Sequence, residues 1–294
     1  MILGTIPKIE PRLQTMARTP TYAPAVPTTD ATATDAVTAE DLTLAYGDHV
    51  AVSRASFVLP RARVTAVIGP NGSGKTTLLR AMSGLERPTS GKLAVLGRAA
   101  GSDHAEVAHV MQSHAVEAAL PVTVVETVRM GRYARRGMLG RLRAVDHDAV
   151  DEAMERMEIR DLAHRHLHEL SGGQRQRVFV AQGLAQRADL LLLDEPITGL
   201  DVVSQDRIDR AIADEVDAGR TVVMTTHDVP TAAAADHVLL MATHVCASGA
   251  PDHVLTEEHL GHAYGSTAYR TADGTLIIGD PHVHGTRISG HTDH

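Results

Sequence analysis

The stretch Gly69-Pro70-Asn71-Gly72-Ser73-Gly74-Lys75-Thr76-Thr77 carries the most explicit chemistry in this sequence. It fits the spacing G-x-x-x-x-G-K-[ST], which cradles phosphate. Glycines let the backbone curl until successive N–H groups point inward at an anion. Lys75 brings a mobile positive charge to the β- and γ-phosphates of a nucleotide, and the Thr76 hydroxyl can ligate Mg²⁺. The flanks suit the motif. Val64–Ile68 reads as a buried strand and Thr76–Met82 as the first turns of a helix, whose positive N-terminal end faces the same anion. A bland strand-to-helix loop is the alternative, and these flanks argue against it.

Three further constellations lie downstream. In Leu170-Ser171-Gly172-Gly173-Gln174-Arg175-Gln176-Arg177, Ser171 is a good N-cap and the glycines leave backbone amides open, so a second helix N-terminus is offered to an anion. Leu190–Leu193 is an apolar run ending in Asp194-Glu195-Pro196, two adjacent acids beside a buried strand. Thr226-His227-Asp228 closes another apolar run, Thr221–Thr225. A lone histidine is usually structural or exposed. This one sits at the C-terminal end of an expected parallel strand, where open α/β sheets bind ligands.

The ordered series resembles the ATP-binding cassette family over about residues 37–265. The octet ending at Arg177 matches that family's signature sequence, and Asp194-Glu195 resembles its Walker B acids. Thr198-Gly199-Leu200-Asp201 resembles its D-loop, and His227 its switch histidine. Gln112, in Val110-Met111-Gln112, resembles the Q-loop glutamine, and Tyr46 the aromatic that stacks on adenine. For Tyr46, a place in the core is the alternative.

The resemblance implies an α/β fold. A RecA-like parallel-sheet core would carry the phosphate loop, with an antiparallel β-subdomain and an inserted helical subdomain at about 115–186. It implies ATP and Mg²⁺, with Thr76, Gln112 and Asp194 around the metal. Glu195 would position or deprotonate the attacking water, and His227 would contact the γ-phosphate. Residues 69–77, Tyr46, Ser171, Gly173, Gln174 and Asp201 would bind nucleotide. In this family the phosphate loop of one subunit faces the signature of another. One cassette per chain therefore implies a homodimer with two ATPs at its interface.

The cassette's cargo is read only by resemblance. The segment Leu120–Tyr133, especially Met130-Gly131-Arg132-Tyr133, is similar to that of zinc and manganese importers, and so is Leu255–Gly265. Iron-chelate importers have a related segment. Such systems imply a membrane permease, an extracytoplasmic metal-binding protein that delivers the ion, and a place on the inner face of the cell membrane. A soluble cassette ATPase working on ribosomes or DNA is the reading from another class. The single cassette and the short Lys75-to-Ser171 spacing argue against it.

The elements must hold these residues together. Leu42–Tyr46, Val50–Val58 and Lys92–Val95 read as strands and Leu120–Gln186 as mostly helical, with apolar residues recurring at three and four in Ala149–Met157. Leu190–Leu193 and Thr221–Thr225 are unbroken apolar runs, as strands covered on both faces require, and Asp236–Met241 is a weaker third. Residues 1–36, rich in Thr, Ala and Pro, read as a disordered leader, within which Met16 is a second possible start.

Residues 266–294 read as a tail, with His282, His284, His291 and His294 either chelating weakly or simply polar. The net charge of −8 argues against a broad nucleic-acid surface. The single cysteine, Cys246, excludes a disulfide within the chain and fits a reducing compartment. No apolar run is long enough to span a bilayer or to serve as a signal peptide. Six arginines fall between Arg129 and Arg143. They read as a solvated face, as a surface for a permease or anionic lipid, or as a nucleic-acid patch.

Overall fold

The computed structural model describes residues 35–102, 105–111, 121–137 and 140–265, together with the backbone of the strands Ala268–Arg270 and Leu276–Ile278. The chain opens with β1 (Asp35–Tyr46) and β2 (His49–Pro60), a long hairpin. β3 (Val64–Ile68) leads into the glycine loop and then α1 (Lys75–Met82). β4 (Ser90–Val95), β5 (Arg98–Ala99) and β6 (Val107–Val110) follow. Next come α2 (Val124–Met130), α3 (Tyr133–Arg136), α4 (Ala144–Arg156) and α5 (Gly172–Gln186). The chain then alternates through β7 (Leu190–Leu193), α6 (Val202–Asp217), β8 (Thr221–Thr226), α7 (Val229–Ala233) and β9 (His237–Met241). β10 (Val245–Gly249), α8 (Pro251–Val254), α9 (Glu257–Tyr264) and the small hairpin of β11 (Ala268–Arg270) and β12 (Leu276–Ile278) complete the described chain.

Two sheets result. One is antiparallel, in the order β2-β1-β4-β5, and the other has the order β10-β9-β3-β8-β7-β6. In the second sheet β9, β3, β8, β7 and β6 are parallel, as the apolar runs predict. β10 adds an antiparallel edge on β9 that the sequence reading does not anticipate, and the four-residue β6 is equally unannounced.

The four leucines of β7 are fully covered because each face of the sheet has its own core. Leu191 and Leu193 pack with α5 and α6 residues such as Val178 and Ile208, while Leu190 and Leu192 pack with α1 and β1 residues such as Leu79 and Leu44. Full burial of each leucine is worth about 2 kcal/mol. The second sheet is thus clamped from both sides, and its carboxyl ends form a stiff edge on which loops can be aimed.

The helical segment closes around Val128, Val150, Met154, Met157 and Val178, all buried. α2 begins with a capping box in which Thr123 and Glu126 satisfy one another's backbone amides.

Three of the six arginines between Arg129 and Arg143 are held by internal partners, while Arg141 and Arg143 stay exposed. Arg132 is only 5% exposed. It donates to Asp146 Oδ1 at 2.8 Å and to the carbonyl oxygens of Ala185 and Gln186 at 2.7 and 3.1 Å. Arg136 donates to the other Asp146 oxygen at 2.8 Å, and Arg135 reaches the carbonyls of Gln186 and Arg187. These three arginines pair the C-terminal carbonyls of α5 and the buried carboxylate of α4, so their task is internal.

Candidate active site

The glycine loop leaves β3 at the sheet's carboxyl edge and turns into α1. Gly74 is the N-cap of α1 and holds φ at 92°, a conformation that strains any other residue. A β-carbon on Gly69 would collide with the Met241 carbonyl oxygen. Lys75 bends back over the loop, its Nζ donating to the carbonyls of Gly69 and Pro70 at 2.8 and 3.0 Å. Burial lowers its pKa, against the opposing pull of Glu195 and Asp194. The ammonium is thus poorly solvated and held at the loop by backbone carbonyls, so an approaching phosphate would gain a strong charge partner.

Asp194, only 4% exposed, follows β7 directly. The hydroxyl of Thr76 donates to its Oδ1 at 3.2 Å, and that of Thr225 donates to the same oxygen at 2.6 Å. A hydroxyl and a carboxylate oxygen converging at the edge of a phosphate loop are hard oxygen donors of the kind Mg²⁺ takes. Glu195 comes next with φ at 48°, a left-handed backbone that costs a non-glycine residue about 1–2 kcal/mol. Its N–H donates to Thr225 Oγ1 at 2.8 Å, which holds that turn. His227 lies just beyond β8, with Nδ1 3.7 Å from Glu195 Oε1. The acid pair and the histidine therefore meet at the ends of neighbouring parallel strands.

The phosphate loop and Glu195 border a cleft of about 250 Å³ lined by Tyr46, His49, Ala51, residues 71–77 and Glu195. Tyr46 is 45% exposed at the lip of that cleft, so it is not a core tyrosine. A larger cavity of about 380 Å³ lies at the strands' amino ends beside Arg61, Val107 and Asp189, away from the motif residues.

Ser171, Gly173, Gln174 and Asp201 form a second group. Ser171 caps α5, its Oγ accepting from Gln174 N at 3.2 Å while Gln174 Oε1 accepts from Ser171 N at 3.0 Å. Asp201 caps α6 through the Ser204 backbone and hydroxyl, and these bonds lower its pKa. A β-carbon on Gly173 would press on Asp201 Oδ2 at 2.7 Å, so glycine lets these two helix starts touch. None of these four residues lines the 250 Å³ cleft. Gln112 and the histidines of the tail lie outside the described residues.

The sequence reading misses Thr225, His49 and the turn between β9 and β10. Thr225 bridges Asp194 and Glu195, yet in sequence it only ends an apolar run. Its one signal is a hydroxyl immediately before Thr226-His227. In the β9–β10 turn, Thr243 N donates to Ser73 O at 3.2 Å and Thr243 O accepts from Ser53 N at 2.7 Å. This turn therefore braces the phosphate loop from behind.

Fold and site together define an ATPase of the phosphate-loop class. The chain belongs to the ABC transporter family, whose profile matches residues 52–198. It is 38% identical over 231 residues to the zinc transport system ATP-binding protein TroB of Treponema pallidum, covering 78% of this chain and 87% of that one. It is 33% identical over 241 residues to the manganese transport system ATP-binding protein MntB of Bacillus subtilis, covering 82% and 96%. Among solved structures, an inward-facing putative metal-chelate type ABC transporter aligns with a TM-score of 0.69 at 27% identity, covering 83% of this chain and 95% of that one. Among the described residues no helix is long and apolar enough to cross a membrane.

Proposed function

We propose that this chain is the ATP-hydrolysing, energy-coupling subunit of an importer for divalent metal ions, zinc or manganese. The observation that carries this is its similarity, at 33–38% identity over most of both chains, to ATP-binding proteins named for zinc and manganese transport. Residues 37–265 form the cassette in this reading. It docks on an integral membrane permease at the inner face of the membrane and, through it, serves an extracytoplasmic metal-binding protein.

Each site residue has a task in this reading. The amides of residues 69–77 and the Lys75 ammonium bind the β- and γ-phosphates, and Tyr46 stacks on adenine. Thr76, Asp194 and Gln112 hold Mg²⁺, which when bound neutralises phosphate charge. Glu195 takes or orients the proton of the attacking water, and its left-handed turn points the carboxylate into the cleft. His227 contacts the γ-phosphate and steadies Glu195. Ser171, Gly173, Gln174 and Asp201 serve the cleft of a second copy. A γ-phosphate gripped by two chains closes the dimer, and its hydrolysis opens it.

The test is ATPase activity of the complete complex with permease and binding protein in vesicles. Stimulation by zinc or manganese delivered on the binding protein is expected. Similarity at 35% identity to a chelated iron transport system protein of Yersinia pestis favours a second reading, an iron-chelate system. A response to an iron chelate with none to zinc or manganese would select that one.

A further inference from the structure

Outside the nucleotide site, three side chains among the described residues bring metal-ligating atoms together. His244 sits in the β9–β10 turn, Cys246 on β10 and His262 on α9, and their ligand atoms all lie within 4.8 Å of one another. Cys246 Sγ is 3.7 Å from His244 Nε2, and the His244 and His262 rings meet edge-on with centroids 5.8 Å apart. On a tetrahedral zinc, with bonds of about 2.3 Å to sulfur and 2.0 Å to nitrogen, a sulfur and a nitrogen ligand stand about 3.5 Å apart and two nitrogens about 3.3 Å. The Cys246–His244 pair is already close to the first spacing. Both histidines are exposed, and rotating them inward by up to about 1.5 Å would bring all three ligand atoms to tetrahedral spacing, while Cys246 is 2% exposed and fixed.

We propose that His244, Cys246 and His262 form a regulatory site for a zinc-like divalent cation, coupled through the β9–β10 turn to the phosphate loop. Two imidazoles and a thiolate are a donor set for zinc or cobalt and a poor one for manganese or magnesium. The exposed histidines leave the fourth position to water. Burial pushes the Cys246 thiol up to about 11, so it is protonated without metal, and binding would release that proton to solvent.

The coupling is short. His244 follows Thr243, whose N–H donates to Ser73 O of the phosphate loop and whose carbonyl accepts from Ser53 N. Occupancy would tie α9 to the turn that braces the loop. These side chains make the site whichever ion the transporter carries.

Cobalt titration of the purified full-length chain tests it. A thiolate bonded to Co²⁺ gives a near-ultraviolet charge-transfer band, and with a single cysteine in the chain that band reports this site alone, whatever the tail histidines bind. The expected result is a saturable band, displaced by Zn²⁺ and not by Mn²⁺ at equal concentration. Cys246→Ala should abolish it. His244→Ala and His262→Ala, changes at exposed positions, should each weaken binding at least about tenfold, since a lost ligand costs no less than a lost outer-shell partner. No band in the wild-type chain, or equal displacement by Mn²⁺, overturns the site. ATP affinity should change about fivefold or more when Zn²⁺ is bound, and Zn²⁺ affinity by the same factor when ATP is bound. Identical ATP affinity with and without Zn²⁺ overturns the coupling.

Discussion

Glu195 concentrates several roles in one position. It is the second acid after a buried strand, its backbone is left-handed, its amide is held by Thr225 and its carboxylate faces His227. Replacing it with Gln keeps shape and hydrogen bonding but removes the base. Glu195→Gln should bind ATP within about threefold of wild type and release phosphate at least about 100-fold more slowly. Phosphate release near the wild-type rate would remove Glu195 from the reaction. Thr225 makes a complementary case because it is fully buried and does not line the cleft. Thr225→Val preserves shape in a fully buried position yet strips one hydrogen bond from Asp194 and one from the Glu195 amide. Leaving those buried groups unpaired costs about 1–3 kcal/mol. Urea unfolding should register that loss alongside slower ATP turnover, and a variant unchanged in both would sink the bridging role.

At the level of elements, α3, α4 and α5 meet on one buried carboxylate. Burial by itself would raise the Asp146 pKa. The Arg143 amide, Arg136 and Arg132 more than reverse this and hold the carboxyl well below the usual carboxylate range. A depressed carboxylate contributes stability that is present above its unfolded value of 3.8 and lost as pH falls below it. Asp146→Asn should therefore be destabilised at neutral pH, by about 3–5 kcal/mol, because Arg132 stays buried without its counter-ion. The same variant should lose stability less steeply than wild type as pH drops through 4 and below. Chemical denaturation at pH 7 and at a series of acidic values measures both, and parallel curves for variant and wild type would contradict the assignment. α2, capped by Thr123 and Glu126, packs on both α5 and α4, so the helical segment is anchored at more than one point.

For the whole molecule, the separation of the two site groups matters most. The cleft carries Lys75 and Glu195, while Ser171 and Gly173 stand elsewhere with Asp201. If a second copy completes the site, two dead variants should rescue each other. Lys75→Ala breaks the phosphate loop and Ser171→Arg breaks the signature. A mixed dimer of the two keeps one intact site, formed by the loop of one chain and the signature of the other. Random mixing should restore up to roughly a quarter of the sites, read as ATPase activity that neither variant shows alone. No recovery on mixing, with mixed dimers verified by differential tags, would refute the shared site.

The sequence by itself determined whatever resides in one contiguous stretch. The phosphate loop with its strand and helix, the Ser171 cap, the acids after Leu190–Leu193 and the two-sided burial of that strand are local patterns. Backbone geometry and apolar periodicity write them directly into residue order. Tertiary structure decided what depends on residues far apart in the chain and ordinary in type. The bridging Thr225, the brace that Thr243 lends to Ser73, the inward turn of Arg132 onto Asp146 and the meeting of Cys246 with His244 and His262 all belong to this class. A threonine ending an apolar strand, or an arginine in a basic run, looks the same whether it faces solvent or a buried carboxylate. Only the packing of one element on another supplies the partner, and with it the charge or hydrogen bond that turns a common side chain into part of a site.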